Sequence, residues 1–154
     1  MIDGVWKPVI WKEEMSVGVA QLDDDHKGLI SILNRLGETL HDDGETRAAL
    51  TLGFRALSQY MRVHFAREEH AMRAADYPGL EAHHPQHVDF IEEMTDMAAR
   101  FEAGSDGELL EDLVLYLRDW LINHIMVEDM AYKPFLSGNS EAHRAAREFS
   151  ASGR

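Results

Sequence analysis

Four stretches of the chain carry apolar residues at the three- and four-residue spacing that is typical of an amphipathic helix. The first stretch follows the acidic triplet Asp23–Asp25, which suits an N-cap and a first helical turn, and ends at a turn over Asp42–Gly44. The remaining three predicted helices are about Thr46–Ala74, Ala82–Phe101 and Glu108–Val127. Glycine and proline clusters separate or follow them, at residues 76–79, 104–107 and 134–138.

Helices of roughly 20 to 30 residues joined by short turns predict an all-α fold, an up-down-up-down four-helix bundle. The first 20 residues have the composition of a loop. A short fifth helix is expected over Ser140–Phe149, where one face carries Ala142, Ala145, Ala146 and Phe149. We therefore expect one domain, with the bundle in residues 1–136 and a C-terminal extension of it in residues 137–154. We expect the extension to be a solvated or loosely docked helix rather than a partner-binding element.

Composition and charge narrow the classes of function. The chain has 154 residues, of which 45% are apolar, and it has no cysteine, which excludes disulfides, thiolate zinc sites and iron–sulfur clusters. Its formal net charge of -13 disfavours nucleic acid and anionic lipid as partners. No segment resembles a secretory signal or a membrane span of ~20 apolar residues. We expect a cytoplasmic monomer.

Histidines carry the candidate chemistry. The chain has nine of them, and two pairs have the four-residue spacing that lets both side chains reach one metal ion: His64 with Glu68, and His83 with His87. His26 lies near the start of the first predicted helix, and His124 lies near the end of the fourth. In an up-down-up-down bundle the chain direction places all four segments at the same end.

A single histidine on a bundle helix is usually a surface residue, but four helices that each deliver an imidazole or a carboxylate to one level predict a metal site. A buried cluster without a metal would leave several polar groups unpaired, at a cost of several kcal/mol. Seven nitrogen and oxygen ligands exceed what one tetrahedral zinc takes. They suit two carboxylate-bridged metals with octahedral preference, which indicates iron or manganese.

A ferritin-like di-iron site is the competing interpretation, since it uses two Glu-x-x-His motifs. Two such motifs exist, Glu38/His41 and Glu81/His84. The first ends the first helix and the second opens the third helix, so they are expected at opposite ends of the bundle and cannot share a site.

Over most of its length, from Trp11 to Leu136, the chain resembles a bacterial hemerythrin. The motifs that carry the resemblance are Trp11, Ser16–Val19, Asp23–Lys27, His64–Glu69, Tyr77-Pro78, His83, His87, and Trp120–Ile125 followed by Asp129.

The resemblance implies a specific set of ligands and a cofactor of two non-haem iron ions. His83, His87 and His124 are implied to hold one iron, and His26 and His64 the other. Glu68 and Asp129 are implied to bridge the two together with a solvent-derived oxo or hydroxo oxygen. The iron with two histidines keeps an open position for dioxygen. The pocket around that position is implied to consist of Phe65, Trp120, Leu121 and Ile125.

The resulting functional hypothesis is reversible dioxygen binding for storage, delivery or buffering, without catalysis. The alternatives that the sequence leaves open are oxygen sensing through a partner protein, and oxidase, peroxidase or nitric oxide chemistry at the same site.

Two features of the sequence complicate the assignment of ligands to regular helices. Pro85 lies between His83 and His87, which is harmless if the helix begins near Ala82 but otherwise predicts a kink and an uncertain choice between His83 and His84. Glu128 follows His124 by four residues and suits an ideal helix, whereas the resemblance favours Asp129, five residues on. We favour Asp129 and therefore predict non-α hydrogen bonding, such as a π-bulge, between His124 and Tyr132.

Overall fold

The computed structural model describes residues 6–41, 46–104 and 108–149, and this part of the chain is helical without strands. Its α-helices are α1 (Ala20–Glu38), α2 (Thr46–Ala74), α3 (Leu80–Glu102), α4 (Leu109–Asn123), α5 (Met130–Leu136) and α6 (Ser140–Glu148). A π-helical segment, His124–Asp129, joins α4 to α5. The predicted all-α four-helix bundle is confirmed, with α1 to α4 as its helices. The predicted turns at 42–44 and 105–107 lie outside the described residues.

One apolar core runs through the bundle, and a second lies beside the end that carries the predicted ligands. The larger core includes fully buried leucines from three helices, such as Leu33, Leu57 and Leu113. The smaller core joins the N-terminal segment and α1 to α2, α5 and α6. Among the described residues, no helix is both long and apolar enough to cross a lipid bilayer.

The start of α1 differs from the prediction that placed its N-cap in the acidic triplet. The helix begins at Ala20, and its N-cap Val19 has extended backbone and no side-chain cap. Asp23 lies inside the helix, where its carboxylate accepts hydrogen bonds from the Val17 N–H and the Ser16 hydroxyl. Burial of Val17 and Val19 fixes the approach of the chain, so Asp23 fastens the preceding loop instead of starting the helix.

The connection from α2 to α3 sets the level of four of the predicted ligands. Asp76 has a φ of 53°, and the Tyr77 N–H bonds to the Met72 carbonyl, which closes α2 with a Schellman turn. Helix α3 begins at Leu80, two residues before the predicted start, and Pro85 is inside it. The missing Pro85 N–H leaves one helix carbonyl without its usual donor, yet the helix continues to Glu102.

The fourth helical stretch continues beyond its predicted end. It was expected to stop near Val127, but the helical path runs through the π-helical segment into α5, and Pro134 lies inside α5. The predicted non-α hydrogen bonding between His124 and Tyr132 is confirmed, because His124–Asp129 is π-helical.

The predicted fifth helix is confirmed as α6, whose N-cap Asn139 accepts a hydrogen bond from the Ala142 N–H. The expectation that it would be solvated or loosely docked is wrong. Ala142 and Ala146 are buried against the smaller core, which also contains Ala71 and Met72 of α2. Small alanines on one face let α6 approach α2 closely.

Candidate metal centre

All seven predicted ligands meet at one end of the bundle. Helix α1 supplies His26, α2 supplies His64 and Glu68, α3 supplies His83 and His87, and the π-helical segment supplies His124 and Asp129. None of the seven is more than 3% exposed. The chain direction predicted this convergence, and the structure places the side chains together.

The seven side chains form two overlapping groups of potential ligand atoms. One group consists of Glu68, His83, His87 and His124, and the other of His26, His64, Glu68 and Asp129. Within each group the ligand atoms lie within 4.8 Å of one another. Three histidines on one side and two on the other, with a shared carboxylate, describe a site for two neighbouring ions.

Glu68 directs one oxygen toward each group. Its Oε1 lies 2.8 Å from His87 Nε2 and 3.4 Å from His124 Nε2. Its Oε2 lies 3.5 Å from His64 Nε2 and 3.7 Å from His26 Nε2. A carboxylate between two imidazole groups has the arrangement that a bridging ligand requires.

Asp129 also faces both groups. Its Oδ1 lies 3.0 Å from His124 Nε2 and 3.2 Å from His83 Nε2, and its Oδ2 lies 2.9 Å from His26 Nε2. The π-helical segment makes this possible, because an α-helix would turn a side chain five residues after His124 away by ~140°.

Carboxylates outside the cluster orient two of the histidines. Asp25 Oδ2 lies 2.9 Å from His64 Nδ1, and Glu69 Oε2 lies 2.7 Å from His87 Nδ1. An ionised carboxylate only accepts hydrogen bonds, so each Nδ1 carries the proton, and in a neutral ring Nε2 keeps its lone pair for a metal. Arg67 Nη1 in turn holds both Asp25 oxygens, at 2.7 and 2.8 Å.

Most atoms aimed into the centre lack a hydrogen-bond partner; the exceptions are His83 Nε2 and the two Glu68 oxygens. Buried atoms without one include the Nε2 atoms of His26, His64, His87 and His124, and both carboxylate oxygens of Asp129. Unpaired buried polar groups are costly, and imidazole nitrogen with carboxylate oxygen is a donor set that iron and other first-row metals accept. The residues present therefore fit a metal pair.

The electrostatics of the metal-free cage depend on these carboxylates. Burial opposes a positive charge on His26, but the close carboxylates of Asp129 and Glu68 outweigh this effect and raise its pKa to about 10. The same balance raises the pKa of His83 to about 10 and that of His124 to about 9. Burial dominates for His64 and lowers its pKa.

The pKa values of the two buried carboxyl groups shift in the opposite direction, downward. Burial raises the pKa of Glu68, but its histidine neighbours outweigh this effect and hold the pKa well below the usual range. For Asp129, burial and the charge of Glu68 raise the pKa. The opposite effect of His124 and His26 is larger, so the net shift is downward. Both carboxylates are thus ionised and available as ligands at neutral pH.

Tyr132 adds a third hydrogen-bonding group behind the carboxylates. It is fully buried, and its hydroxyl donates to Glu68 Oε2 over 2.8 Å. Burial and the charges of Asp129 and Glu68 raise the pKa of Tyr132 well above its usual value. The phenol therefore stays protonated and fixes one of the two oxygens of Glu68.

Aromatic rings cover the side with three histidines. Phe65 stacks on His87 with ring centroids 3.9 Å apart, and Trp120 stacks on His124 at 4.3 Å. Leu121 and Ile125 are fully buried in the larger core. These four residues were predicted as the oxygen pocket beside the iron with two histidines, but the Phe65 and Trp120 rings stack on histidines of the other group.

The comparisons with known proteins agree with this geometry. A family model described as the hemerythrin HHE cation binding domain matches residues 17–136. The chain belongs to the hemerythrin family. The family match ends at Leu136, so α6 lies beyond it.

Hemerythrin relatives match most of the chain. A bacteriohemerythrin of Stenotrophomonas maltophilia (strain R551-3) is 33% identical over 124 residues, which cover 80% of this chain and 78% of that protein. Myohemerythrin-1 of Phascolopsis gouldii is 28% identical over 127 residues, covering 82% and 93%. A crystal structure of wild-type hemerythrin superimposes with a TM-score of 0.74 at 32% identity, covering 86% of this chain and 100% of that one.

Two residues adjacent in sequence to predicted ligands, Glu128 and His84, bond to partners outside the cluster. Glu128 accepts a hydrogen bond from Gln86 Nε2, 2.7 Å away. His84, whose side chain is 56% exposed, pairs with Glu69 outside the cluster. The structure therefore brings His83, and not His84, into the cluster.

Sequence reasoning named the candidate ligands but missed the groups that orient them: Asp25, Arg67, Glu69 and Tyr132. Position along the chain would have indicated two of them, because Asp25 and Glu69 are adjacent to proposed ligands. Tyr132 follows Asp129 by three residues, which places it on nearly the same helical face. The partners of Arg67 depend on the packing of α1 against α2, and no local pattern predicts them.

Proposed function

We propose that this chain binds dioxygen reversibly at two non-haem irons. His83, His87 and His124 would hold one iron, His26 and His64 the other, and Glu68 and Asp129 would bridge the pair. The observation that carries this proposal is the placement of both carboxylates, each with one oxygen toward either histidine group. Membership of the hemerythrin family supports iron as the metal.

A ferrous pair supplies, when bound, the two electrons and the coordination position that dioxygen needs. The chain's own contribution is to hold imidazoles with their Nε2 atoms inward, where a metal would displace their protons, and to keep two carboxylates ionised. The histidine pair His26/His64 offers one imidazole fewer than the other group, which favours it as the side that receives a small ligand.

The chain also excludes water from the centre. Phe65, Leu121 and Ile125 are at most 5% exposed and apolar, so they disfavour water and ions beside the ligands. Reversible binding requires this exclusion, because water promotes irreversible oxidation of the metal. The apolar wall supports storage, delivery or buffering of dioxygen over turnover of a polar substrate.

Anaerobic reconstitution with ferrous iron tests the proposal. Metal analysis should give two irons per chain, and an absorption spectrum that appears with dioxygen should disappear when dioxygen is removed. His143→Ala is a suitable control, since His143 bonds to the Ser137 carbonyl away from the centre. One metal per chain, zinc that iron cannot displace, or an irreversible spectral change would refute reversible binding at a di-iron site.

A further inference from the structure

The segment after the family match reaches the neighbourhood of the metal centre through one aromatic ring. Phe149 follows α6, which is docked along α2 by Ala142 and Ala146. The Phe149 ring lies 5.7 Å from the His70 ring, between centroids, and its centroid lies 5.7 Å from Arg67 Cζ. Both partners belong to the part of α2 that carries His64 and Glu68.

Arg67 lies between this ring and Asp25. Its Nη1 contacts both Asp25 oxygens, whereas its buried Nε has no hydrogen-bond partner among the described residues. The guanidinium is therefore restrained by Asp25 on one side and by the face of Phe149 on the other. A cation within ~6 Å of an aromatic centroid is attracted by the ring.

Asp25 completes the connection to the centre, because its Oδ2 is the acceptor for His64 Nδ1. Mutation of a carboxylate that orients a metal-bound histidine typically changes metal affinity by 10- to 100-fold. Phe149 contacts Arg67, the partner of the Asp25 carboxylate, so it should affect metal binding by His64 in the same way but to a smaller extent.

We propose that Phe149 is a positioning residue for His64, acting through Arg67 and Asp25, so that the segment after Leu136 controls how firmly the His26/His64 side holds its metal ion. The inference rests on the proposed di-iron function. It assigns no role to Phe149 on the other side of the centre, because His87 is oriented by Glu69, which lies outside this relay.

The first experiment compares metal release from reconstituted wild-type protein and Phe149→Ala in excess chelator. Release of one iron per chain should become about two- to fivefold faster, the change expected for loss of an exposed cation–π contact. Release of the second iron should be unchanged. Phe149→Leu, which keeps apolar volume but removes the ring face, should behave like Phe149→Ala, whereas Phe149→Tyr should restore the wild-type rate.

Phe101→Ala is the matched control. Its ring lies 4.6 Å from Arg47 Cζ, at the start of α2 and far along the helix from His64. This variant removes the same kind of contact and some packing, but it should leave both release rates unchanged. Equal acceleration in Phe101→Ala would show a general effect of stability and would overturn the proposal.

A double-mutant cycle identifies the route. If Phe149 acts through Asp25, Phe149→Ala should have no further effect on release in an Asp25→Asn background, since the relay is already broken. Additive effects of the two substitutions would overturn the proposal, as would wild-type release from Phe149→Ala.

A measurement on metal-free protein separates this inference from the proposed function. The hydrogen-bonded Nδ1–H of His64 should give a nuclear magnetic resonance signal that shifts or broadens in Phe149→Ala and not in Phe101→Ala. If wild-type protein fails to bind two irons but this signal responds, the relay exists and the di-iron proposal falls. An unchanged signal overturns the relay whatever the metal content.

Discussion

Asp129 and Glu128 are consecutive carboxylates with different surroundings, and they allow a direct test of the bridging assignment. Asp129 is fully buried and faces three imidazoles, whereas Glu128 is half-buried and bonded to Gln86. Asp129→Ala should lower the iron content of reconstituted protein from two per chain to one or none, because both sides lose an oxygen ligand. Glu128→Ala should retain two. Metal analysis of the two variants distinguishes the residues. Loss of iron from Glu128→Ala, with two irons retained by Asp129→Ala, would show that Asp129 is not the bridging carboxylate.

Leu121 tests the apolar wall of the centre. It is fully buried, and truncation of such a residue typically costs about 2–5 kcal/mol of unfolding free energy and leaves a cavity. Leu121→Ala should bind two irons but lose its oxygenated spectrum faster than wild type, because water can enter the cavity beside the ligands.

Leu113→Ala provides the control for that loss of stability. Leu113 is equally buried on the same helix, three turns before His124. It should destabilise the fold by a similar amount without hastening oxidation. If both leucine variants oxidise at the same rate, Leu121 has no special place in the pocket.

The sequence was sufficient to bring seven side chains to one end of the bundle, because four-residue spacing and chain direction are both readable from it. It was not sufficient for the surrounding hydrogen bonds. Whether Asp25 caps a helix or orients a histidine depends on where α1 begins, and that start is fixed by burial of Val17 and Val19. The partner of Tyr132 depends on a contact across 64 residues.

Among the described residues, the helices that supply the candidate ligands contain one irregular segment, the π-helical turn His124–Asp129. A π turn accommodates one residue more than an α turn, and it brings Asp129 onto the face that carries His124. Val127 lies within this segment and is 56% exposed, so its side chain contributes little packing.

Deletion of Val127 should therefore convert the π turn into α-helix and leave the ligands in place. Asp129 would then follow His124 by four residues, a spacing that also keeps two side chains on one face. We expect two irons per chain, and amide exchange should show that the irregular hydrogen-bond pattern of the π turn is lost. Zero or one iron would show that the π geometry itself is needed.

Deletion of Asp119 is the comparison for an uninterrupted α-helix. Its side chain is 77% exposed, but one residue removed from α4 rotates His124 by about 100° relative to the preceding leucines. This variant should lose iron and stability together. Similar metal binding in both deletions would contradict the idea that the extra residue is absorbed at the π turn.

Helices were more predictable than their ends. The bounds of α2 follow from its periodicity and from the turn sequence after Ala74, and the structure has the same bounds. The end of the fourth stretch was not predictable in the same way, because Pro134 lies inside α5 and the helical path continues past it to Leu136. The docking of α6 could not be predicted, since its alanines reveal a face but not the surface that covers it.

Metal-free protein holds the same cage with protons in place of metal ions. His26, His83 and His124 have pKa values raised from 6.5 to about 10, 10 and 9, because Asp129 and Glu68 outweigh the effect of burial. Their contribution to stability is complete below pH 6.5 and is lost as the pH rises through 9 to 10. His64, whose pKa is lowered by burial, has the opposite sign and costs stability only below pH 6.5.

Metal-loaded protein should follow a different curve. Imidazole binds a metal only in its neutral form, so metal binding displaces these protons and is favoured as the pH rises. Between pH 6.5 and 10 the metal-free fold should therefore weaken while the metal-loaded fold does not. Below pH 6.5 protons compete with the metal, and iron should be released.

The gap between the melting temperatures of metal-loaded and metal-free protein should consequently widen from pH 6.5 to 10 and close in acid. Anaerobic thermal melts of both forms at half-unit pH steps measure it, and iron released into solution reports metal loss in the same samples. His143→Ala removes an imidazole that lies outside both groups and bonds to the Ser137 carbonyl, and it should leave the gap unchanged. A gap that is constant over this range, or curves that coincide at neutral pH, would show that the clustered histidines do not couple metal binding to folding.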